Sequence, residues 1–270
     1  MTEQHNDERW LGATASENYE RFFVPAIGRP VAEDLLRVAE LKTGERVLDV
    51  GCGTGVVTRL AAEQVGRRGQ VAGLDVNPDM ISVAQASTPP ELAIKWHQAS
   101  AESMPLPDEA FDVVLCQMSL QFVADRLQAL REMRRVQASN GRVLLNVPGP
   151  MGPPFAVLAK ALGQHIAPKA AGFVQAVFAL HDESELERLL KEAGFHGVET
   201  RERIGRLSLP PPRDFLWQYV SSTPLAAVVA DAGDDAREGL EHDVVNGWKE
   251  FETDDGMTCE QRVVIASGRR

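Results

Sequence analysis

The stretch Arg46-Val47-Leu48-Asp49-Val50-Gly51-Cys52-Gly53-Thr54-Gly55-Val56-Val57 decides the fold. Its apolar run over Arg46 to Val50 reads as a short buried strand, and Thr54 to Val65 reads as a helix ending at Gly66. Between them Gly51, Gly53 and Gly55 alternate with other residues. Glycines at a strand-to-helix turn let backbone approach a ligand where a Cβ would collide. The N-terminus of the next helix then supplies free N–H donors.

Working outward, the same unit repeats. Gln70 to Leu74 is a second strand leading to Asp75, and Asn77-Pro78 opens a helix reaching about Ala86. Leu92 to His97 is a weaker third strand, and Phe111 to Cys116 a buried fourth. Asp125 to Val136 reads as a helix, Asn140-Gly141 as a turn, and Arg142 to Val147 as a fifth strand. Strands alternating with helices imply a mostly parallel sheet covered on both faces. Upstream, Tyr19 to Gly28 and Pro30 to Glu40 read as two amphipathic helices.

Beyond Val147 the alternation stops. A Pro/Gly loop over 148–154 precedes helical, Ala-rich sequence to Leu180, and Asp182-Glu183-Ser184-Glu185 reads as a capping box for a helix ending at Gly194. Gly197 to Leu209 is strand-like, Pro210-Pro211-Pro212 marks a boundary, Asp214 to Glu250 is helical, and Thr258 to Ala266 is a last strand. The expected architecture is α/β: a doubly wound, mostly parallel sheet of seven strands with an antiparallel last strand, plus a helical cap or lid. Its parts are a disordered tail over 1–14, N-terminal helices and core over 15–147, a helical cap over 148–180, more core over 181–209, a helical lid over 210–257, and the final strand and tail over 258–270.

The bulk numbers bound the rest. The chain has 270 residues, 44% hydrophobic and 25% charged, and its 39 acidic against 28 basic residues leave a net charge of −11. Without a basic stripe to neutralise phosphates, no nucleic-acid partner is expected. The three cysteines, Cys52, Cys116 and Cys259, have neither disulfide nor metal spacing, so they read as small buried hydrophobes in a reducing cytoplasm, and no metal is expected. MTEQHNDERW lacks the apolar core of a signal peptide. The longest uncharged stretch, Val143 to Ala159, carries Pro148, Pro150, Pro153 and Pro154, so no membrane span is expected.

Asp75 lies twenty residues after Gly55, where a carboxylate can accept both ribose hydroxyls of an adenosyl group. Helix capping is the plainer role for it. With the turn, this admits either a nicotinamide or an S-adenosyl cofactor. The spacing is G-x-G-x-G rather than G-x-G-x-x-G, and the chain has only Tyr19 and Tyr219 as tyrosines, which disfavours a nicotinamide oxidoreductase.

At these residues the sequence resembles the class I S-adenosylmethionine-dependent methyltransferases, with their Rossmann-like fold. Val47 to Gly55 and Gly73-Leu74-Asp75-Val76-Asn77-Pro78-Asp79-Met80 resemble the family's first two motifs. Ala99 to Asp108 resembles its adenine-side loop and Phe111 to Gln117 its fourth strand, while Leu130 to Val136 with Asn140-Gly141 resembles the approach to the fifth. The resemblance covers about 17–200 and is closest to the ubiquinone/menaquinone-biosynthesis-like branch, which methylates small molecules.

It implies S-adenosyl-L-methionine as cofactor, S-adenosyl-L-homocysteine as product, and a cofactor site of Asp49, Gly51, Cys52, Gly53, Asp75, Val76, Met80, Ser100, Ala101, Glu102 and Gln117. Asp49 would orient the turn and the methionine ammonium, Asp75 would hold the ribose, and Val76 and Met80 would pack on the adenine. Ala101 N–H would meet an adenine ring nitrogen, and the Gln117 carbonyl would accept from the ammonium. Ser100 stands where many members carry Asp, so its bond from the adenine amine lacks charge assistance unless Glu102 compensates.

The acceptor side is less marked. Tyr19 and Phe23 would fold over the cofactor in the family's manner, or pack as helix core, and Gln121 and Phe122 would face the transferred methyl. His165, His181 and Tyr19 are the candidates for a catalytic base, with a structural role the plainer one for His181. Phe155, Phe173, Phe178, Phe215, Trp217 and Tyr219 in the later helical segments suit an apolar pocket for a hydrophobic or aromatic acceptor, methylated on O or C, or else core packing. Two alternatives stand beside this: a catalytically inactive cofactor-binding scaffold or partner subunit, and a protein or nucleic-acid methyltransferase on the same fold. Monomer and homodimer are equally open.

Overall fold

The structure is a computed structural model that describes residues 13–270. Most of the expected tail over 1–14 lies outside the described residues. Thr14 lies within them, capping the helix Ala15–Asn18: its hydroxyl accepts from Glu17 N, and the Glu17 carboxylate accepts from Thr14 N.

The strands are β1 (Arg46–Val50), β2 (Gln70–Asp75), β3 (Ile94–Gln98), β4 (Phe111–Gln117), β5 (Gln137–Pro148), β6 (His196–Leu209), β7 (Glu252–Thr253) and β8 (Gly256–Arg269). Sheet order is β3-β2-β1-β4-β5-β8-β6, with β7 paired to β8 off that path. The β1–β5 pairings are all parallel, and β8 runs antiparallel to β5 with Asn146 opposite Ile265. The expected seven-stranded path is therefore present, with a short hairpin added.

The described residues form two compact units, one of 28–151, 176–205 and 261–270, the other of 13–27, 152–175 and 206–260. In the first, the alternation along each strand sorts the two faces of the sheet. Leu48, Val50, Val114, Cys116, Val143, Leu145 and Val147 bury one face against the helices Arg126–Val136 and Glu183–Glu192. Asp49, Leu115, Gln117 and Asn146 alternate with these and lie on the opposite face.

In the second unit the helices Pro153–His165, Pro212–Ser221 and Asp234–Trp248 pack around aromatic side chains. Trp248 is fully buried and its Nε1 donates to Pro154 O at 2.8 Å; its ring lies 5.4 Å from Phe215. Phe155, Phe215 and Tyr219 are each under 9% exposed, so core packing accounts for these three.

Four local readings change. Tyr19–Gly28 is a widened, π-type helix rather than an ordinary one. Pro25 sits inside it; a proline ring collides with the carbonyl four residues back, and the wider turn relieves that collision. Asn140-Gly141 is not a turn but part of β5, beside a register shift between β4 and β5. A Cβ on Gly141 would stand 2.8 Å from Asp112 O, so this glycine serves close strand approach. The Asp182 box is half made: Asp182 accepts from Ser184 and Glu185 N–H, while Glu185 reaches Arg126 instead. The Ala-rich segment to Leu180 is two helices, Pro153–His165 and Pro168–Val177.

Candidate active site

The decisive turn follows β1. Gly51, Gly53 and Gly55 all have left-handed backbone, with φ of 67°, 53° and 88°. Two of them also need the missing side chain. A Cβ on Gly51 would lie 1.9 Å from Ser119 Oγ, and one on Gly55 would lie 2.4 Å from the Trp96 ring. Gly51 thus lets the loop after β4 come down onto the turn, whereas Gly55 lets β3 pack under it. Gly51 N and Cys52 N both donate to Leu74 O, at 2.7 and 3.0 Å, which ties the turn to the end of β2.

Two carboxylates flank this turn and differ in every respect. Asp75, half-buried at the end of β2, accepts from Gly53 N at 2.8 Å on Oδ2 and from Asn77 N at 2.9 Å on Oδ1. The following helix is capped by Asn77, whose side chain accepts from Asp79 N, so Asp75 is not its cap. Each Asp75 oxygen keeps lone pairs for further donors. Asp49 is 1% exposed; its Oδ2 accepts from Thr58 Oγ1 at 2.6 Å, and its Oδ1 is buried without a partner among the described residues. Burial pushes its carboxyl up to about 7, against the bond from Thr58 and with the nearby Asp75 charge.

The remaining cofactor-side candidates cluster at the same end of the sheet. Val76 is 66% exposed directly after Asp75, and Met80 lies in the first turn of the next helix. Ser100 Oγ accepts from Glu102 N at 3.1 Å. Glu102 spends Oε1 on Asp125 N at 2.7 Å, the first residue of the helix-capping segment that ends β4's loop. Gln117, at the end of β4, donates from Nε2 to Gly28 O at 3.0 Å.

On the acceptor side, Gln121 is buried and Phe122 is 53% exposed in the short helical turn Leu120–Phe122. Tyr19 and Phe23 stack with ring centroids 4.5 Å apart in the helical unit, where Phe23 also lies 6.3 Å from Tyr219. His165 Nε2 meets Asp243 at 2.8 Å, and Gly239 is a glycine because a Cβ there would lie 2.5 Å from His165 Nδ1. His181 donates from Nδ1 to Phe178 O at 2.8 Å, and His196 is exposed at the start of β6. Cys52, Cys116 and Cys259 are all free and buried.

Sequence reasoning missed two residues here. Trp96 packs against Gly55 and Gly73, and Asn146 stands wholly buried at the end of β5. An Asn inside the apolar run Val143-Leu144-Leu145-Asn146-Val147 was the available signal.

This strand order, with its glycine turn and acidic strand end, defines a doubly wound α/β fold with a candidate nucleoside-cofactor site. A family model described as a methyltransferase domain matches residues 48–145. Solved structures share the fold: a putative methyltransferase from Bacillus halodurans superposes with a TM-score of 0.57 at 19% identity, covering 88% of this chain and 97% of that one. Phosphoethanolamine N-methyltransferase 2 of Haemonchus contortus, solved with phosphomonomethylethanolamine and S-adenosylhomocysteine, superposes with a TM-score of 0.59 at 20% identity, covering 99% of this chain and 58% of that one.

Sequence relatives narrow the class. The ubiquinone/menaquinone biosynthesis C-methyltransferase UbiE of Vibrio campbellii is 32% identical over 173 residues, 58% of this chain and 67% of that protein. The demethylmenaquinone methyltransferase of Staphylococcus aureus is 30% identical over 177 residues, 61% of this chain and 73% of that protein. The chain belongs to the class I S-adenosylmethionine-dependent methyltransferases, in their UbiE-like branch. It is an enzyme, and S-adenosylmethionine is its cofactor. Among the described residues no helix is long and apolar enough to cross a membrane.

Proposed function

We propose that this enzyme methylates carbon, or oxygen, of a small aromatic acceptor bearing a hydroxyl group, such as the reduced form of a quinone; the relatives' names point to ubiquinone and menaquinone biosynthesis. The observation that supports the cofactor half is Asp49, whose Oδ1 is buried and without a partner among the described residues at the strand end that leads into the glycine turn. A cationic ammonium suits that carboxylate, and a diol suits the outward lone pairs of Asp75. In this reading the backbone of Gly51, Cys52 and Gly53 takes the amino-acid portion. Val76 and Met80 flank the adenine, with Ser100, Ala101 and Glu102 at its edge and the Gln117 carbonyl at the ammonium.

The cofactor supplies an activated methyl on a sulfonium, so the protein's task is alignment and exclusion of water rather than activation of a leaving group. An acceptor phenol becomes nucleophilic at ring carbon or oxygen once its proton is released. Of the base candidates His165 has a carboxylate partner in Asp243, whereas His181 spends one ring nitrogen on a backbone carbonyl. The buried free thiols suit a reducing cytoplasm.

The test is incubation with methyl-labelled S-adenosylmethionine and a panel of naphthohydroquinones, substituted phenols and primary amines, with NMR of the products. Ring or phenolic methylation is expected. Transfer only to amines, or to none of the panel, would sink the acceptor assignment.

A further inference from the structure

Asn146 is fully buried, and its amide has one end used and one end free. Met118 N donates both to Asn146 O at 2.9 Å and to Asn146 Oδ1 at 3.1 Å. Because a backbone N–H can only donate, this fixes which end of the amide is oxygen and leaves Nδ2 as the unpartnered donor. Gln121, also buried, is fixed the same way: its Nε2 donates to Met118 O at 2.9 Å, leaving Oε1 without a partner. Gln117 lies opposite Asn146 in the β4–β5 register and donates from Nε2 to Gly28 O, so its Oε1 is free as well.

Two of these amides therefore bond the backbone of one residue, Met118, and the third belongs to Gln117, which precedes it in the chain; each is oriented by backbone, and each has a buried polar atom without a partner among the described residues. Met118 itself has φ of 47°, a left-handed conformation costly for a non-glycine residue. The next residue, Ser119, is the one packed onto Gly51 of the cofactor turn. Buried polar atoms left unpaired among the described residues cost free energy, and three of them beside a strained residue at a turn that binds a cofactor mark a ligand subsite rather than a packing defect.

The unused set is one donor and two acceptors. A protonated ammonium would satisfy the two oxygens and leave Asn146 Nδ2 unpaired, and a ketone or ether would do the reverse; between a neutral amine and a hydroxyl, which both donate and accept, the aromatic-alcohol reading of the acceptor chooses the hydroxyl. A hydroxyl satisfies both kinds, accepting from Nδ2 and donating to an Oε1. We propose that Asn146, Gln121 and Gln117 form the polar subsite of the methyl acceptor and hold a single hydroxyl-type oxygen, a water in the resting enzyme and the acceptor's hydroxyl during turnover. The proposal rests on the reading of the acceptor as an aromatic alcohol.

Two measurements on the intact enzyme test it. A crystal structure with S-adenosylhomocysteine at a resolution that shows waters should place one within hydrogen-bond reach of Asn146 Nδ2 and of Oε1 of Gln117 or Gln121. An empty cluster there overturns the subsite and leaves any observed transfer to quinols standing. The second is calorimetry with S-adenosylhomocysteine saturating, using 1-naphthol and its methyl ether as probes. Wild type should bind the alcohol at least tenfold more tightly than the ether. Asn146→Leu removes the donor and should erase that preference, while S-adenosylhomocysteine affinity changes little. Should Asn146→Leu retain the alcohol's advantage, Asn146 is only a clamp for Met118 and the proposal fails. Wild type binding neither probe, with a water present in the crystal, would instead overturn the aromatic-acceptor reading and the acceptor half of this proposal together.

Discussion

At the C-terminal ends of β1 and β2, three left-handed glycines stand with two unlike carboxylates, Asp75 bonded to Gly53 N and Asp49 with a buried oxygen unpaired among the described residues. In the helical unit, Phe155, Phe215, Tyr219 and Trp248 bury large rings against one another, and the polar contacts are ordinary: Trp217 Nε1 to Glu241, Arg213 to Glu241, His165 to Asp243. The first region spends backbone freedom and desolvation to keep atoms unsatisfied until a ligand arrives. The second satisfies nearly everything internally. A change in the first should therefore move binding, and a change in the second should move stability.

The largest effect expected comes from Asp49. Burial raises its carboxyl from 3.8 to about 7, so between those values the folded chain holds a proton that the unfolded chain has released. Stability from this group is then lost as pH rises from about 4 through about 7, by on the order of 4 kcal/mol. Denaturant melts of wild type and Asp49→Asn at pH 5 and pH 8 isolate it: the wild-type fall should exceed the mutant's by a few kcal/mol, and saturating S-adenosylmethionine should shrink the difference by supplying a counter-charge. Parallel pH profiles would mean that Asp49 has a paired environment after all.

Next is Gly51→Ala. The added methyl meets Ser119 Oγ, and the residue sits at φ 67°, so the turn and the loop after β4 must part. Cofactor affinity should drop by roughly 3 kcal/mol, on the order of a hundredfold, in a protein whose circular dichroism is unchanged. Asp75→Ala follows, at about 1.5–3 kcal/mol of S-adenosylhomocysteine affinity, since it removes charge-assisted bonds to two hydroxyls and the brace on Gly53 N. The counterpart in the helical unit is Trp248→Phe, which loses the bond to Pro154 O and leaves a small void. It should cost about 1–2 kcal/mol of unfolding free energy and leave cofactor affinity where it was. If Trp248→Phe weakened the cofactor as much as Asp75→Ala does, the contrast between the regions would collapse.

That contrast also explains what could be read from the sequence. Gly51, Gly53, Gly55 and Asp75 were legible because each answers a local demand, a backbone angle or a strand end, that a short window of sequence displays. Asn146 was not, although an Asn in an apolar strand is visible, because its meaning depends on Met118 arriving from the neighbouring strand. Asn140-Gly141 read as a turn for a similar reason: the glycine answers Asp112 O on β4, which is far away in sequence. The aromatics of the helical segments could not be sorted between pocket and core by periodicity, since both put large rings on one helix face; their mutual ring contacts decide for Phe155, Phe215 and Tyr219.

The smallest effect should be the most informative about the adenine edge. Ser100 Oγ already accepts from Glu102 N, and it lies 3.5 Å from Glu102 Oε2, while Glu102 Oε1 is held by Asp125 N. Glu102 is thus anchored as a brace for the next helix and is poorly placed to lend its charge to an adenine amine. Ser100→Asp would keep the bond from Glu102 N with one carboxylate oxygen and offer the other, charged, to the amine. The same substitution sets a second negative charge beside Glu102 Oε2, which offsets part of the gain. A net tightening of S-adenosylhomocysteine by about threefold, roughly 0.6 kcal/mol, is expected, rising further in Ser100→Asp/Glu102→Gln once the like charge is removed. Calorimetry on the four-membered cycle of wild type, both single variants and the double variant separates the two contributions. A loss of affinity in Ser100→Asp that Glu102→Gln fails to restore would show that the adenine amine does not lie at Ser100, and the adenine edge of the proposed site would have to be redrawn around Ala101 and Met80.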